Sequence, residues 1–235
     1  MTETFAAPAQ ARGATTTRRT QKFLNRQASI LKAAVALINH KGVKGMTLAD
    51  VAAQLDIVPT GVIYYFPSKE VLAAACFGAA IEAYEALIAE AARAPTPRQR
   101  LRRFVEAYVG RARDVALGKA DKLAVFNDVR ALGDASVDRA YTEMFRHARA
   151  LIAPEPPPRG AQRQAVNAAT HLALSQLFWS VVWLPLYEPD DYGRAAERLA
   201  DLIENGLAAA GAVWPAAPPA PAHESTDDVS RETFL

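Results

Sequence analysis

The chain has 235 residues, of which 51% are hydrophobic and 22% charged, and its formal net charge is +2. This is enough for one or two domains with apolar cores, and the single cysteine excludes a disulfide framework and a cysteine metal site. No apolar run predicts a membrane span or the core of a signal peptide, so we expect a soluble, cytoplasmic protein.

The charge is distributed unevenly along the chain. Residues 1–69 contain nine lysines and arginines and three acids, whereas residues 70–235 contain eighteen basic and twenty-two acidic residues. A small basic unit joined to a weakly acidic body is typical of a protein whose N-terminal part contacts nucleic acid.

The N-terminal part predicts a basic arm and the first of three helices. Residues 1–19, rich in Ala, Thr and Arg, predict a flexible arm. Residues 20–40 carry apolar side chains at helical spacing, and the two glycines of HKGVKG end that helix. A second helix follows Thr47, which has capping-box spacing with Asp50.

The second and third helices are separated by a tight turn. The second helix is only about two turns long, too short to stand alone. Asp56 lies in the turn and tolerates the left-handed conformation, and Pro59 suits the first position of a third helix. Two short helices around a tight turn in a basic unit predict a helix-turn-helix that places its second helix in the major groove of DNA.

The rest of the chain is helical by pattern, with no strand alternation. Ser68 caps a fourth helix that runs to about residue 93. Further helices are predicted over residues 97–117, 120–132, 134–153, 161–184 and 190–211. Residues 212–235, rich in Ala and Pro, predict a disordered tail. The fold class is therefore all-α, with about nine helices.

The order of elements resembles TetR/AcrR-type transcriptional regulators. RQASILKAAVALINHKG at 26–42 resembles the family's first helix, TLADVAAQL at 47–55 its second, and VPTGVIYYFPSKEVL at 58–72 its recognition helix and the start of its fourth. The resemblance implies a DNA-binding domain over residues 20–66 and a ligand-binding and dimerisation domain over residues 67–211.

The chain departs from the family pattern at three positions. The family usually has Gly where Asp56 stands, Ser or Thr where Val58 stands, and Tyr where Ile63 stands. Val58 removes the usual hydroxyl cap of the recognition helix, at a cost of about 1 kcal/mol. Ile63 removes a hydroxyl that usually touches DNA, and Tyr64 and Tyr65 stand beside it as replacements.

The candidates for DNA contact fall into three groups. Thr47, Tyr65 and Lys69 match family positions that touch phosphates, and a hydroxyl at a helix start, a phenol and a lysine each suit a phosphate oxygen. The candidates for base edges or base methyls are Thr60, Gly61 and Tyr64, with Pro59 beside them as a further DNA-binding candidate, and those of the arm are Arg18, Arg19 and Lys22. The alternative is that Thr47 is only a cap and one of the tyrosines is core.

The helix predicted over residues 161–184 has no clean polar face, which predicts burial on all sides. The resemblance implies that one side of this helix packs on the ligand cavity and the other on the partner subunit. It also implies that the helix at 190–211 is the other half of a four-helix dimer interface. His171 and Ser175 then bind a ligand's polar end or hydrogen-bond in that interface. The apolar candidates for the pocket are Phe104, Tyr108, Phe126, Met144, Phe145, Trp179 and Trp183. Arg130 either faces a ligand carboxylate or phosphate or is a solvated or ion-paired residue.

These features predict a homodimeric, ligand-responsive repressor, released from a palindromic DNA operator by a hydrophobic or amphipathic small molecule. No catalytic motif and no metal-ligand spacing occurs, so we expect no enzyme activity, metal or cofactor. One alternative is a helical small-molecule-binding protein that has lost DNA binding. The other is an all-α enzyme, for which the sequence offers no set of catalytic residues.

Overall fold

Eight α-helices build the part of the chain that the computed structural model describes, residues 10–153 and 159–209, with side chains for residues 20–153 and 159–207. The helices are α1 Gln10–Gly45, α2 Leu48–Gln54, α3 Pro59–Ile63, α4 Lys69–Ala91, α5 Pro97–Ala116, α6 Ala135–Ile152, α7 Gly160–Trp183 and α8 Tyr192–Ala209. Four 3-10 turns lie at Phe126–Asp128, Arg130–Leu132, Leu184–Leu186 and Pro189–Asp191. These residues contain no strand, so the all-α prediction is confirmed. The predicted tail, residues 212–235, lies outside the described residues.

The first helix starts earlier than the sequence predicts. The backbone is helical from Gln10, so half of the expected flexible arm belongs to α1. Residues 10–19 contain one glycine and no proline, and nothing in them breaks a helix that continues into a strongly apolar stripe. At its other end α1 bends at Gly42, whose φ of 73° lies in the left-handed region that favours glycine.

Local chemistry accounts for the turn between α2 and α3. The Thr47 hydroxyl accepts from the backbone N–H of Asp50, and the Asp50 carboxylate accepts from the N–H of Thr47, both at 3.1 Å, which confirms the capping box. A hydrogen bond from Lys41 is the largest of the effects that lower the pKa of Asp50. Asp56 adopts a φ of 51° at the turn, as predicted. Val51 and Val62 are fully buried and pack the two short helices onto the core.

The helix predicted over residues 120–132 is not formed. The segment contains only the two 3-10 turns, and side chains from other elements hold its backbone. Asn39 of α1 donates to the carbonyl of Leu123 at 2.9 Å and accepts from the N–H of Val125 at 3.0 Å. Because these contacts already satisfy backbone groups that a helix would pair internally, the segment remains a loop tied to α1.

A second bond of the same kind lies at the bend of α1. Asp128 accepts from the N–H of Val43 at 3.0 Å, and a Cβ on Gly42 would lie 2.5 Å from the same carboxylate. The close approach and the positive φ both require glycine at position 42. We use the name α1 latch for these three hydrogen bonds, the two that Asn39 of α1 makes with the loop and the one that Asp128 of the loop makes with α1.

In the body, α4, α6, α7 and α8 all pack against α5. Helix α4 is long and apolar enough to cross a membrane by length and composition alone. Its Leu72, Phe77 and Ile81 are buried in the protein core, where α4 packs against α1, α5 and α6. Helix α8 is fixed to α5 by Glu204, which is 1% exposed and accepts from Arg98 at 2.9 Å and from Arg102 at 3.0 Å.

Candidate nucleic-acid interface

Helix α3 has one buried face and one exposed face. Val62 is fully buried and anchors the helix to the core, whereas Val58, Ile63 and Tyr64 are 66%, 45% and 74% exposed. Exposed apolar side chains that lie together in one patch, unlike singly exposed ones, are typical of an interaction site. The exposed face of α3 is therefore the first element of a binding surface.

Helix termini and lysines lie on either side of α3 in the chain. Thr47 is exposed at the N-terminus of α2, and Lys69 begins α4 directly after its cap, Ser68. The Lys69 ammonium donates to the backbone carbonyl of Lys44 at 3.4 Å, which holds it near the end of α1. Unpaired N–H groups and the positive end of the macrodipole make helix N-termini suitable for phosphate oxygens.

A groove of about 900 Å³ lies between residues 20–29 of α1 and the two tyrosines that follow α3. Phe23 packs on Tyr65, with ring centroids 4.7 Å apart, and on the edge of Tyr64 at 6.3 Å. Tyr65 is half-buried in this cluster, whereas Tyr64 projects into solvent. Lys22 and Arg26 are exposed along the same groove.

The groove brings together residues that the sequence identified and residues that it did not. Lys22, Tyr64 and Tyr65 were candidates from the sequence, and Phe23 and Arg26 were missed. The spacing of Lys22 and Arg26, which places both on one helical face, was the signal that could have found the second cation. The side chains of Arg18 and Arg19 lie outside the described residues.

The interior of the body is almost closed between α5, α6 and α7. A cavity of only about 10 Å³, room for at most about one water, lies between α5, α6 and α7. Its lining residues are Leu101, Phe104, Ala148, Leu151, Ile152, Thr170, Ala173, Leu174 and Leu177. Of the predicted pocket residues only Phe104 is among them. The one hydroxyl, that of Thr170, is already bonded to the carbonyl of Val166 at 2.7 Å.

An aromatic cluster lies beside the cavity, between α4, α5, α7 and the loop before α6. The rings of Tyr84 and Tyr108 stack with centroids 5.8 Å apart, and Phe126 and Phe178 lie 5.3 and 5.4 Å from Tyr84. Burial raises the pKa of both tyrosines, so their phenols stay protonated. Tyr108 and Phe126 were predicted, whereas Tyr84 and Phe178 were not assigned to the pocket.

The remaining pocket candidates are scattered. Met144 is 1% exposed and belongs to the core. The ring of Phe145 stacks on His171 with centroids 4.2 Å apart, and Trp183 lies edge-on to Tyr187 at 5.9 Å. None of these residues lines the cavity.

Three candidates lie on the outer side of α7 instead of in a pocket. His171 and Ser175 are exposed, and Trp179 is 63% exposed, because the inner face of the helix is already occupied by Leu174, Leu177 and their neighbours. The prediction that Trp179 lines the pocket is corrected accordingly. Within one chain the inner face of α7 is buried, and burial of its outer face against a partner subunit stays a prediction.

Arg130 is exposed in the second 3-10 turn, with its guanidinium 5.6 Å from the centroid of the Tyr141 ring. That position favours a solvated cation–π contact over a buried ligand carboxylate. Tyr141 in turn packs edge-on against Phe126. Arg130 therefore lies at the rim of the aromatic cluster, not within it.

Comparison with known proteins relates this surface to a family. Residues 30–76, from α1 through α2 and α3 into α4, match the family described as bacterial regulatory proteins, tetR family. No curated protein matches the chain significantly.

Several solved structures share the fold. A TetR-family regulator from Bordetella parapertussis is 18% identical over 75% of this chain and 93% of its own, with a TM-score of 0.60. PfmR from Thermus thermophilus is 21% identical over 74% and 96%, with a TM-score of 0.54. AibR, solved in complex with isovaleryl coenzyme A and operator DNA, is 18% identical over 76% and 96%, with a TM-score of 0.55.

Proposed function

We propose that the chain, whose residues 30–76 match the family described as bacterial regulatory proteins, tetR family, is a homodimeric transcriptional repressor that a small molecule releases from a palindromic operator. The observation that carries the proposal is the exposed face of α3. Val62 packs this helix onto the core, and three cations lie near it, Lys22 and Arg26 on α1 and Lys69 at the start of α4. This is the arrangement by which phosphate contacts position a protein and a helix reads the bases.

Dimerisation is supported by the outer face of α7. Leu172, Trp179 and Val182 are 65%, 63% and 56% exposed and recur every three to seven residues along one side of the helix. Leu202 of α8 is 71% exposed. Apolar side chains at this spacing suit a self-complementary helical interface, and a two-fold dimer presents two copies of α3 to two half-sites about one helical turn of DNA apart.

The nature of the effector follows from the closed cavity. Its lining is apolar apart from Thr170, whose hydroxyl already has a partner, so it suits the hydrocarbon part of a hydrophobic or amphipathic molecule. Because the cavity holds no more than about one water, an effector must push α5, α6 and α7 apart to enter. AibR, which shares the fold, was solved with both a coenzyme A thioester and operator DNA.

The aromatic cluster and the α1 latch provide a route from the cavity to DNA. Phe126 contacts Tyr84 of α4 and Phe178 of α7, and two residues later Asp128 holds the N–H of Val43 in α1. A shift of α7 that displaces Phe126 therefore also disturbs the hydrogen bond between Asp128 and Val43 at the end of α1. The two binding events are then reciprocally linked, with a coupling of about 1–3 kcal/mol.

Occupation of an operator blocks transcription without requiring any second contact, which is why we propose repression and not activation. The protein then acts in the cytoplasm, with double-stranded DNA and the effector as its partners, and without enzymatic activity.

The test is selection of genomic DNA fragments from the source organism by ligand-free protein, followed by sequencing. We expect a shared, near-palindromic site. Arg26→Ala should reduce its recovery, and Arg139→Ala, which removes an exposed arginine from α6, should not. If no site is enriched even at low salt, the repressor proposal is wrong, and the alternative of a small-molecule-binding protein without DNA binding takes its place.

A further inference from the structure

The recognition segment lacks the side chains that read most bases. From Leu55 to Ser68 there is no Arg, Lys, His, Asn, Gln or Glu. The commonest contact to guanine is a bidentate Arg or Lys, and adenine is read by Asn or Gln. None of these contacts is available from α3 or from the turns on either side of it.

The polar groups that do occur in the segment are few, and some are committed elsewhere. Ser68 accepts from the N–H of Val71 as the cap of α4, Asp56 lies in the turn, and Tyr65 is half-buried against Phe23. This leaves the hydroxyls of Thr60 and Tyr64 as the exposed hydrogen-bonding groups of α3 itself.

Apolar atoms dominate the exposed face. Pro59 and Ile63 are four residues apart, as are Thr60 and Tyr64, so the two pairs lie side by side, and all four side chains are exposed. Thr60 and Tyr64 lie opposite the buried Val62, and Ile63 lies at the flank of the same exposed face. Val58 adds a further exposed apolar side chain where the helix begins. The surface that meets the bases is thus a ridge of methyl and methylene groups with two hydroxyls.

Gly61 allows this ridge to approach DNA closely. A Cβ at Gly61 would meet only Ile57, at an ordinary contact distance of 3.5 Å, so packing inside the protein does not require glycine there. Glycine within a helix costs about 1 kcal/mol relative to alanine. The absent side chain leaves the backbone of α3 uncovered at this position, beside the exposed Thr60.

We infer that Ile63, supported by Val58 and Pro59, reads the 5-methyl groups of thymines in the major groove. This inference rests on the proposed function and names what the same surface recognises. The thymine methyl is the one apolar group on a base edge in that groove, and it distinguishes thymine from every other base. The cations that hold phosphates lie outside α3, on α1 and α4, so they leave the apolar ridge free for the bases.

The test compares the selected operator made with thymine and the same operator made with deoxyuridine, which lacks only the methyl group. Wild-type protein should lose affinity by roughly fourfold for each contacted methyl, the factor that corresponds to one buried methyl group. Ile63→Ala should bind the thymine operator more weakly and should lose much of its sensitivity to deoxyuridine. Ile63→Ser, which removes every methyl group of the side chain, serves as the second variant should the alanine variant fail to fold.

Leu117→Ala is the matched control, because Leu117 is 41% exposed at the end of α5 in the body. It should bind both operators as the wild type does. Equal affinity of the wild type for the two operators overturns the inference. If deoxyuridine weakens binding of the Ile63 variants as much as it weakens binding of the wild type, the inference is also overturned, because the loss of affinity would then come from a change in DNA shape. If the wild type selects no operator at all, the proposed function fails first and the inference falls with it.

Discussion

Val58 begins α3 without a hydroxyl that could accept the first N–H groups of the helix. Val58→Thr keeps the β-branch and supplies this acceptor, so we expect the free energy of unfolding to rise by about 1 kcal/mol. Urea denaturation followed by circular dichroism measures it. Val71→Thr makes the same change at an exposed position inside α4, where no cap is missing, and should not stabilise the protein. Equal effects of the two substitutions would contradict the assignment of a vacant cap.

Cys76 provides a second test with single-residue resolution. Burial raises the pKa of its thiol to about 12, so the thiolate is disfavoured in the folded protein. We expect no reaction with iodoacetamide at pH 8 until the protein unfolds. The contribution of this thiol to stability is complete below its unfolded pKa of about 9 and is lost as the pH rises towards 12. Rapid labelling of the native protein would contradict burial of this residue.

At this scale, sequence reasoning succeeds where the chemistry is local. The capping box of Thr47 and Asp50, the cap at Ser68 and the left-handed Asp56 all depend on neighbours within a few residues, and all three occur in the structure. The packing of Phe23 against the tyrosines that follow α3 depends on how α1 crosses α3. The sequence pattern of either helix does not predict how the two helices pack on each other, so Phe23 was not identified.

At the scale of elements, the segment between α5 and α6 is the instructive case. Its apolar residues over 120–132 have spacing compatible with a helix, yet the backbone is held by Asn39 and Asp128 contacts that span more than eighty residues. Bonds of such sequence separation leave no periodic signal. The same limit applies to α7, where the sequence predicts an apolar helix but not which of its faces is covered within the chain.

Asn39→Ala tests the α1 latch. It removes a donor and an acceptor from a partly buried loop and should lower the free energy of unfolding by about 1–3 kcal/mol. Hydrogen exchange should accelerate in residues 117–128, because the carbonyl of Leu123 and the N–H of Val125 lose their partner. Asn127→Ala, at an exposed position in the same loop, is the control. Unchanged exchange in Asn39→Ala would show that the latch does not hold the loop.

At the scale of the whole molecule, the predicted order of helices holds everywhere except over residues 120–132, because the breaks between the helices fall at a proline, a glycine or a cap. The resemblance is carried by residues 26–72, and the family match covers nearly the same stretch, residues 30–76. The proposed assembly of two copies has no comparable signal in the order of the helices. It rests on the exposed apolar side of α7 and on Leu202 of α8.

Trp179→Arg tests that assembly. Placing a charge in the centre of the proposed interface should convert a dimer to a monomer in sedimentation velocity at micromolar concentration. Operator affinity should fall steeply, since the two recognition helices are no longer linked. Leu117→Arg places the same charge on an exposed apolar position away from α7 and should remain dimeric. A monomeric wild type, or a dimeric Trp179→Arg, would contradict the proposed interface.

The measurement that tests the central claim most directly is the salt dependence of operator affinity for the wild type, Lys69→Ala and Lys122→Ala. Both substitutions remove one exposed or half-exposed lysine, but only Lys69 lies at the start of α4 beside α3. The wild-type affinity should fall steeply with salt, and Lys69→Ala should reduce the logarithmic slope by about 1 for each subunit. Lys122→Ala should leave the slope unchanged. A wild-type affinity that does not depend on salt, or equal slopes for the wild type and Lys69→Ala, would contradict the assignment of this surface to DNA.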